Sequence, residues 1–263
     1  MSQEGEKLSR REFLTVGLGA AAFLAELAIP EQARAQLEKL LASQESAAER
    51  FEDTIARLKK MVWENKNEVL WVHVKKGSKE VALNILKSGS ETAAEGVDVM
   101  ALYKDKEVSR VYLVHTHPAS VYFKDPAFPK DIAGQIHKEK KSKFPFIPSG
   151  GDIAECAADK VRLKEMGLKR ETGHFVVEPS GVWSYDVDLE HPQMKAAPLH
   201  RDADTLADMY AGSPALRMVL GADLDTQQKK IHKEGGISGK NLKEFQGWAK
   251  KEWGVKFSYQ PSQ

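Results

Sequence analysis

Apolar residues recur along this chain with two periods, which predict a succession of helices and strands. From Leu37 to Trp63 they return at steps of three and four residues, with charged residues between them. This spacing predicts one helix or a helix pair with a single apolar face. Short runs rich in β-branched and aromatic residues predict strands over 69–74, 97–103 and 108–115. The apolar run 81–86 is too short to assign to either type.

The second half of the chain continues the mixture. Ser149 to about Met166 has a helical pattern, and Gly167 follows it where a C-terminal cap is expected. Other segments predict a short helix over 132–137, a hairpin over 174–185, helices near 204–210 and 242–253, and an edge strand over 257–259. Because helices and strands do not alternate regularly, we expect an α+β or mixed α/β fold, with a mixed β-sheet flanked by helices.

The N-terminus has the layout of an export signal. Paired arginines at 10–11 precede an apolar run over 13–29, and a small-x-small motif ends at Ala35. The arginine pair resembles a twin-arginine (Tat) signal, so residues 1–35 are expected to be a Tat-type signal peptide cleaved after Ala35. A membrane anchor is the alternative, but the run is short for about 20 spanning residues and contains Glu26. We therefore expect a periplasmic or otherwise exported protein, with the Tat machinery as a partner and no stable membrane anchor after cleavage.

Composition narrows the function classes further. The 263 residues carry a formal net charge of +1, which gives no electrostatic reason to expect nucleic acid as a partner. Cys156 is the single cysteine, so the chain cannot form an internal disulfide. Its helical, apolar neighbours predict a buried structural thiol.

Two short motifs carry the candidate chemistry. His115 and His117 end a predicted strand, and residues two apart on a strand lie on the same face. Ser149 and Asp152 open the predicted helix that follows. Two imidazoles and one carboxylate, with one position left open, form the ligand set of a catalytic zinc site. Each motif alone has a plainer interpretation, since the histidines suit an exposed strand and Ser-x-x-Asp suits a helix cap.

Taken together, the motifs resemble those of the JAMM (MPN-type) zinc metallopeptidases. That family combines an upstream Glu, His-[Ser/Thr]-His-Pro and Ser-x-x-Asp, which match His115 to Pro118 and Ser149 to Asp152. The run from Pro148 to Ile153 is also similar to RadC-like members. The resemblance implies a cytidine-deaminase-like/MPN sandwich over 36–190, with an insertion at 119–147. Residues 191–263 are then expected to form a C-terminal helical extension packed on the same domain.

The resemblance also implies residue roles. His115, His117 and Asp152 would bind zinc, and Ser149 would hydrogen-bond the developing oxyanion or the bound water. The catalytic Glu would be Glu68, with Glu64 as the other candidate. Among the remaining histidines, His174 is the best candidate to support a ligand. His73 is expected to be an ordinary core or surface residue, and His137, His191, His200 and His232 are expected to lie on the surface.

The expected function is an exported zinc-dependent metallopeptidase that hydrolyses an amide or isopeptide bond in a peptide or protein outside the cytoplasm. A non-catalytic MPN-like binding or scaffold module in the cell envelope is the alternative. A third possibility is zinc-dependent attack on another bond, as in a deaminase. The chain lacks the Cys-x-x-Cys ligands expected of zinc deaminases, since it contains one cysteine.

Overall fold

The fold is described from a computed structural model, which covers residues 49–65, 68–86, 99–120, 130–139 and 142–262. The predicted signal peptide over 1–35 lies outside the described residues. So do the first part of the predicted helix from Leu37 and part of the predicted insertion over 119–147. Within the described ranges, no helix combines the length and the apolar character that spanning a bilayer requires.

The described residues form one succession of helices and strands. In chain order these are α1 (Phe51–Glu64), β1 (Leu70–Lys76), β2 (Lys79–Leu86), α2 (Val99–Lys104), β3 (Val108–Thr116), α3 (Lys130–Glu139), α4 (Gly150–Glu165), β4 (Glu171–Glu178), β5 (Gly181–Val187), α5 (Pro192–Ala196), α6 (Leu206–Ala211), a π-helix (Ala215–Leu220), α7 (Gly221–Lys233), α8 (Gly239–Trp253) and β6 (Val255–Pro261).

The described strands make one sheet in the order β2-β1-β3-β4-β5-β6. Strands β3 and β4 are parallel, and every other neighbouring pair is antiparallel. The parallel pair requires a crossover, and this crossover contains α3 and α4. The predicted mixed α/β class is therefore confirmed as a six-stranded mixed sheet flanked by helices.

Different helices cover the two faces of the sheet. On one face, Leu58 of α1 shares a buried cluster with Val114 of β3. On the other, Ile153 of α4 and Trp183 of β5 belong to a larger cluster that also includes the C-terminal helices. Because side chains alternate along a strand, β3 directs Val114 towards α1 and His115 towards α4.

Most sequence-based assignments are confirmed, including the hairpin, the helix after Ser149 and the strand before His117. The ambiguous run 81–86 lies in strand β2. The strand predicted over 97–103 is wrong, since Val99–Lys104 is helix α2. Its apolar residues Val99, Leu102 and Tyr103 are three and four positions apart, so one helix face can place all of them against the same core cluster.

Candidate metal centre

His115, near the end of β3, and His117, directly after the strand, point to one place. Neighbouring Nε2 atoms of His115 and His117 are 3.3 Å apart, and the side chains are 7% and 14% exposed. The predicted shared face is therefore confirmed. The end of β3 is fixed on its β4 side, because the His117 N–H donates to the carbonyl oxygen of Val177 at 2.9 Å.

Asp152 reaches the same place from the first turn of α4. Ser149 is the N-cap, and its backbone is extended with φ −75° and ψ 166°. The Asp152 N–H donates to Ser149 Oγ at 3.2 Å, and the Ser149 N–H donates to Asp152 Oδ2 at 2.6 Å. This reciprocal capping box fixes the carboxylate and leaves Oδ1 facing His115 Nε2 at 3.3 Å.

The surroundings of Asp152 favour its ionised form. Burial raises the pKa of this carboxyl, but His115, His117 and the hydrogen bonds from Ser149 lower it more, so the net pKa is below its ordinary value. A carboxylate in this state, beside two imidazoles, is in the protonation state that metal binding requires.

Two of the three ligand separations in the cluster match those around a small tetrahedral ion. The ligand atoms of His115, His117 and Asp152 all lie within 4.8 Å of one another. Two ligands of a tetrahedral zinc, each about 2.0–2.1 Å from the metal, are roughly 3.3 Å from each other. Both His115 separations, to His117 Nε2 and to Asp152 Oδ1, are 3.3 Å. The group could therefore bind a metal ion.

Glu68 lies beside this cluster. In the antiparallel pairing of β1 with β3, Leu70 is opposite His115. Continuing that register by two residues brings Glu68 opposite His117, and Glu68 Oε1 is 3.8 Å from His117 Nε2. The other candidate, Glu64, is the exposed last residue of α1. Of the two carboxylates, it is Glu68 that the fold brings to the histidines.

Ser149 lies at the same helix terminus, half-buried. Its oxygen accepts the Asp152 N–H, so it already has a structural task as the cap of α4. The hydroxyl hydrogen of Ser149 can still be donated to a further group.

The remaining histidines separate by location. His73 is buried on the α1 face, where its ring contacts Phe51. His174 is buried on the same face as His115, and its Nε2 is 3.5 Å from Asp159 Oδ2. Burial lowers the pKa of His174, which favours the neutral ring. The contacts of His174 are with Asp159 and Tyr185, and its support of a metal ligand stays a prediction.

Surface positions were predicted for four histidines, with mixed results. His200 is exposed, as expected, whereas His191 is half-buried and caps α5. His232 is also half-buried, and its Nε2 donates to the Pro145 carbonyl oxygen at 2.9 Å. Both residues are partly exposed, so the surface prediction holds in part, and each ring also has a backbone partner. The side chain of His137 lies outside the described residues.

Sequence reasoning missed how the segment before Ser149 is held. The backbone of residues 145–147 is bonded by side chains from distant elements, of which Glu178 and Gln228 are buried. Glu178 of β4 accepts the Phe146 N–H, while Gln228 and His232 of α7 bond the backbone on either side. These partners lie 32, 81 and 87 positions away along the chain, so no local pattern could have identified them.

Cys156 is separate from this chemistry. It lies in the apolar core on α4, and burial raises the pKa of its thiol well above the ordinary value. A protonated, inaccessible thiol is not a nucleophile. The predicted structural role of Cys156 is confirmed by its burial.

Comparison of the chain with protein-family models, with curated proteins and with solved structures gave no match. The motif resemblance and the geometry of the cluster therefore carry the functional argument.

Proposed function

We propose that this protein is an exported zinc-dependent hydrolase of the JAMM type, which cleaves an amide or isopeptide bond. The observation that carries the proposal is the convergence of His115, His117 and Asp152 within 4.8 Å, with the Glu68 carboxylate 3.8 Å from His117. Four potential participants from three separate parts of the chain thus meet at one place.

The donor set favours zinc or another transition metal over magnesium and calcium, and the resemblance to JAMM enzymes selects zinc among these. Imidazoles suit zinc and later transition metals, whereas magnesium and calcium prefer sites made of oxygen ligands. Three protein ligands leave a fourth tetrahedral position for water or substrate, as catalytic zinc sites do. When bound, zinc would supply a water of lowered pKa and polarise the substrate carbonyl.

Two further side chains would handle protons and charge. Glu68, half-buried beside His117, would accept a proton from the attacking water on its carboxylate and donate that proton to the leaving amine. Ser149 would direct its hydroxyl hydrogen at the oxygen of the scissile carbonyl while its own oxygen stays bonded to the Asp152 N–H. His115, His117 and Asp152 would hold the metal and take no part in proton transfer.

We extend the proposal to the fold and the location. An MPN-like sandwich over 36–190 is supported by the order of the motifs, with Glu68 before β1, the histidines at the C-terminal end of β3 and Asp152 in the first turn of α4. Export through the Tat pathway is supported by the sequence of residues 1–35 alone. The substrate would then be a peptide or protein outside the cytoplasm.

The proposal is tested by separating metal binding from turnover. The purified chain is incubated with a peptide library containing α-, γ- and ε-linked amides, and cleavage is followed by mass spectrometry. Glu68→Gln should keep its zinc and lose at least about 10²-fold in rate, the usual contribution of a general base. Glu64→Gln is the matched control and should leave both unchanged. If the wild-type protein neither binds zinc nor hydrolyses any peptide in the library, the result would instead support the alternative role as a non-catalytic scaffold.

A further inference from the structure

Thr116, between the two histidines, occupies an unusual place in the strand pairing. The Leu70–His115 pair ends the regular register of β1 with β3, so the next residues to face one another are Val69 and Thr116. In a hydrogen-bonded antiparallel pair, two opposed residues exchange two backbone bonds. Here the Thr116 N–H donates to the Val69 carbonyl oxygen at 3.1 Å, which supplies the first of those bonds.

The second bond does not go to the backbone. The Val69 N–H donates to the side-chain oxygen of Thr116, Oγ1, at 3.0 Å. The threonine hydroxyl therefore replaces a main-chain carbonyl as acceptor. Both residues are inaccessible, with Val69 2% and Thr116 1% exposed. No water could take over the bond at this depth, so loss of Oγ1 would leave a buried N–H unpaired.

The bond lies between the groups of the candidate centre. Thr116 directly joins His115 to His117, and Val69 directly follows Glu68. Since a trans peptide fixes neighbouring Cα atoms 3.8 Å apart, the position of Val69 sets the origin of the Glu68 side chain. The two bonds between Val69 and Thr116 thus hold Glu68 opposite His117, where the 3.8 Å contact is found.

We propose that Thr116 is a positioning residue, whose hydroxyl holds the Glu68 backbone in register with the two histidines. This inference rests on the proposed function, since it assigns Glu68 a task that needs accurate placement. Misplacement of a reacting group by about 1 Å can cost on the order of 10²-fold in rate. Thr116 itself touches neither metal nor substrate in this assignment.

Three variants of the full chain test the proposal. Thr116→Val keeps the shape and removes the acceptor, and Thr116→Ser keeps the acceptor. Thr54→Val is the matched control, because Thr54 is also fully buried but lies in α1, away from the strand pairing. Its hydroxyl donates to the Arg50 carbonyl oxygen. Amide exchange at Val69, zinc content, kcat and KM are measured for each, using the best-cleaved library peptide.

We expect Thr116→Val to speed exchange of the Val69 amide at least about tenfold, keep its zinc, and lose roughly 10- to 100-fold in kcat with little change in KM. Thr116→Ser should show the wild-type rate of Val69 amide exchange and the wild-type kcat, and Thr54→Val should change neither quantity. Unchanged exchange at Val69 in Thr116→Val would overturn the proposal. So would an equal loss of kcat in Thr54→Val, which would indicate general destabilisation.

The two proposals fail in different ways. If wild type binds no zinc or cleaves no peptide, the proposed function fails, and exchange at Val69 still decides whether the hydroxyl holds this backbone. If wild type is active and Thr116→Val is equally active, the proposed function stands and the positioning role of Thr116 fails.

Discussion

Gly150, the first residue of α4, lies against the backbone of Leu216 in the π-helix. A Cβ atom placed on Gly150 would be 2.1 Å from the Leu216 carbonyl oxygen and 2.9 Å from the Gly221 nitrogen. Both are backbone atoms, so a rotamer change cannot relieve the clash. The C-terminal part of the chain therefore fixes the helix terminus that carries Asp152.

Gly150→Ala should displace this terminus. We expect the free energy of unfolding to fall by about 2 kcal/mol, as for other overpacked sites, and zinc affinity to fall with it. Chelator competition and denaturant unfolding measure the two effects. Gly247→Ala is the control, because Gly247 is helical with nothing within 4 Å of an added Cβ, and this change should stabilise by roughly 0.5–1 kcal/mol. Equal zinc affinities in both variants would show that the contact does not position Asp152.

Ser149 can be tested against a second capping box in the same chain. Ser238 caps α8 with Asn241 as Ser149 caps α4 with Asp152. Each Ser→Ala change should cost about 1 kcal/mol of stability through loss of the cap. Ser149→Ala should in addition lower kcat on the order of 10²–10³-fold, because an oxyanion donor is lost. Equal activity of Ser149→Ala and Ser238→Ala would restrict Ser149 to capping.

His73 should make stability depend on pH. Its Nε2 donates to the Glu49 carbonyl oxygen at 2.9 Å, and its buried Nδ1 has no hydrogen-bond partner among the described residues. Burial is the largest influence on the pKa of His73 and lowers it. The contacts with Glu49 and Glu80 raise this pKa and Arg110 lowers it, and the net shift is downward. His73 thus binds a proton more readily in the unfolded chain than in the folded chain. The stability contributed by neutral His73 is therefore complete above about pH 6.5 and is lost as the pH falls through the folded-state pKa.

The measurement is urea unfolding at pH 7.5 and pH 5.5. His73→Gln keeps an N–H donor but cannot titrate, so its stability should fall less between these two values than that of wild type. His174, whose pKa is also lowered by burial, contributes equally in both proteins. An identical pH dependence in the variant would remove His73 as a source of acid sensitivity.

The parts of the site that follow local rules were predictable from sequence. Strand alternation puts His115 and His117 on one face, and a capping box orients Asp152 towards the start of its own helix. The choice between Glu64 and Glu68 was open, because it depends on the pairing of β1 with β3, about 45 residues further along the chain.

Other features depend on contacts that no short window contains. The run 97–103 fits both the helix and the strand period. In the helix α2, Tyr103 is buried in the core and its hydroxyl donates to Asp159 of α4. The close approach of Gly150 to the π-helix has no local signature either. The position of Thr116 between the histidines was visible, but its bond to Val69 required the register.

Zinc analysis of the purified chain tests the central claim most directly. Wild type should bind one zinc per chain, and His115→Ala should lose it, because one of three protein ligands is removed. His200→Ala is the matched control, since His200 is exposed, and it should bind zinc as wild type does. A wild type that binds no zinc, or a His115→Ala variant that binds it with unchanged affinity, would contradict the proposed metal centre.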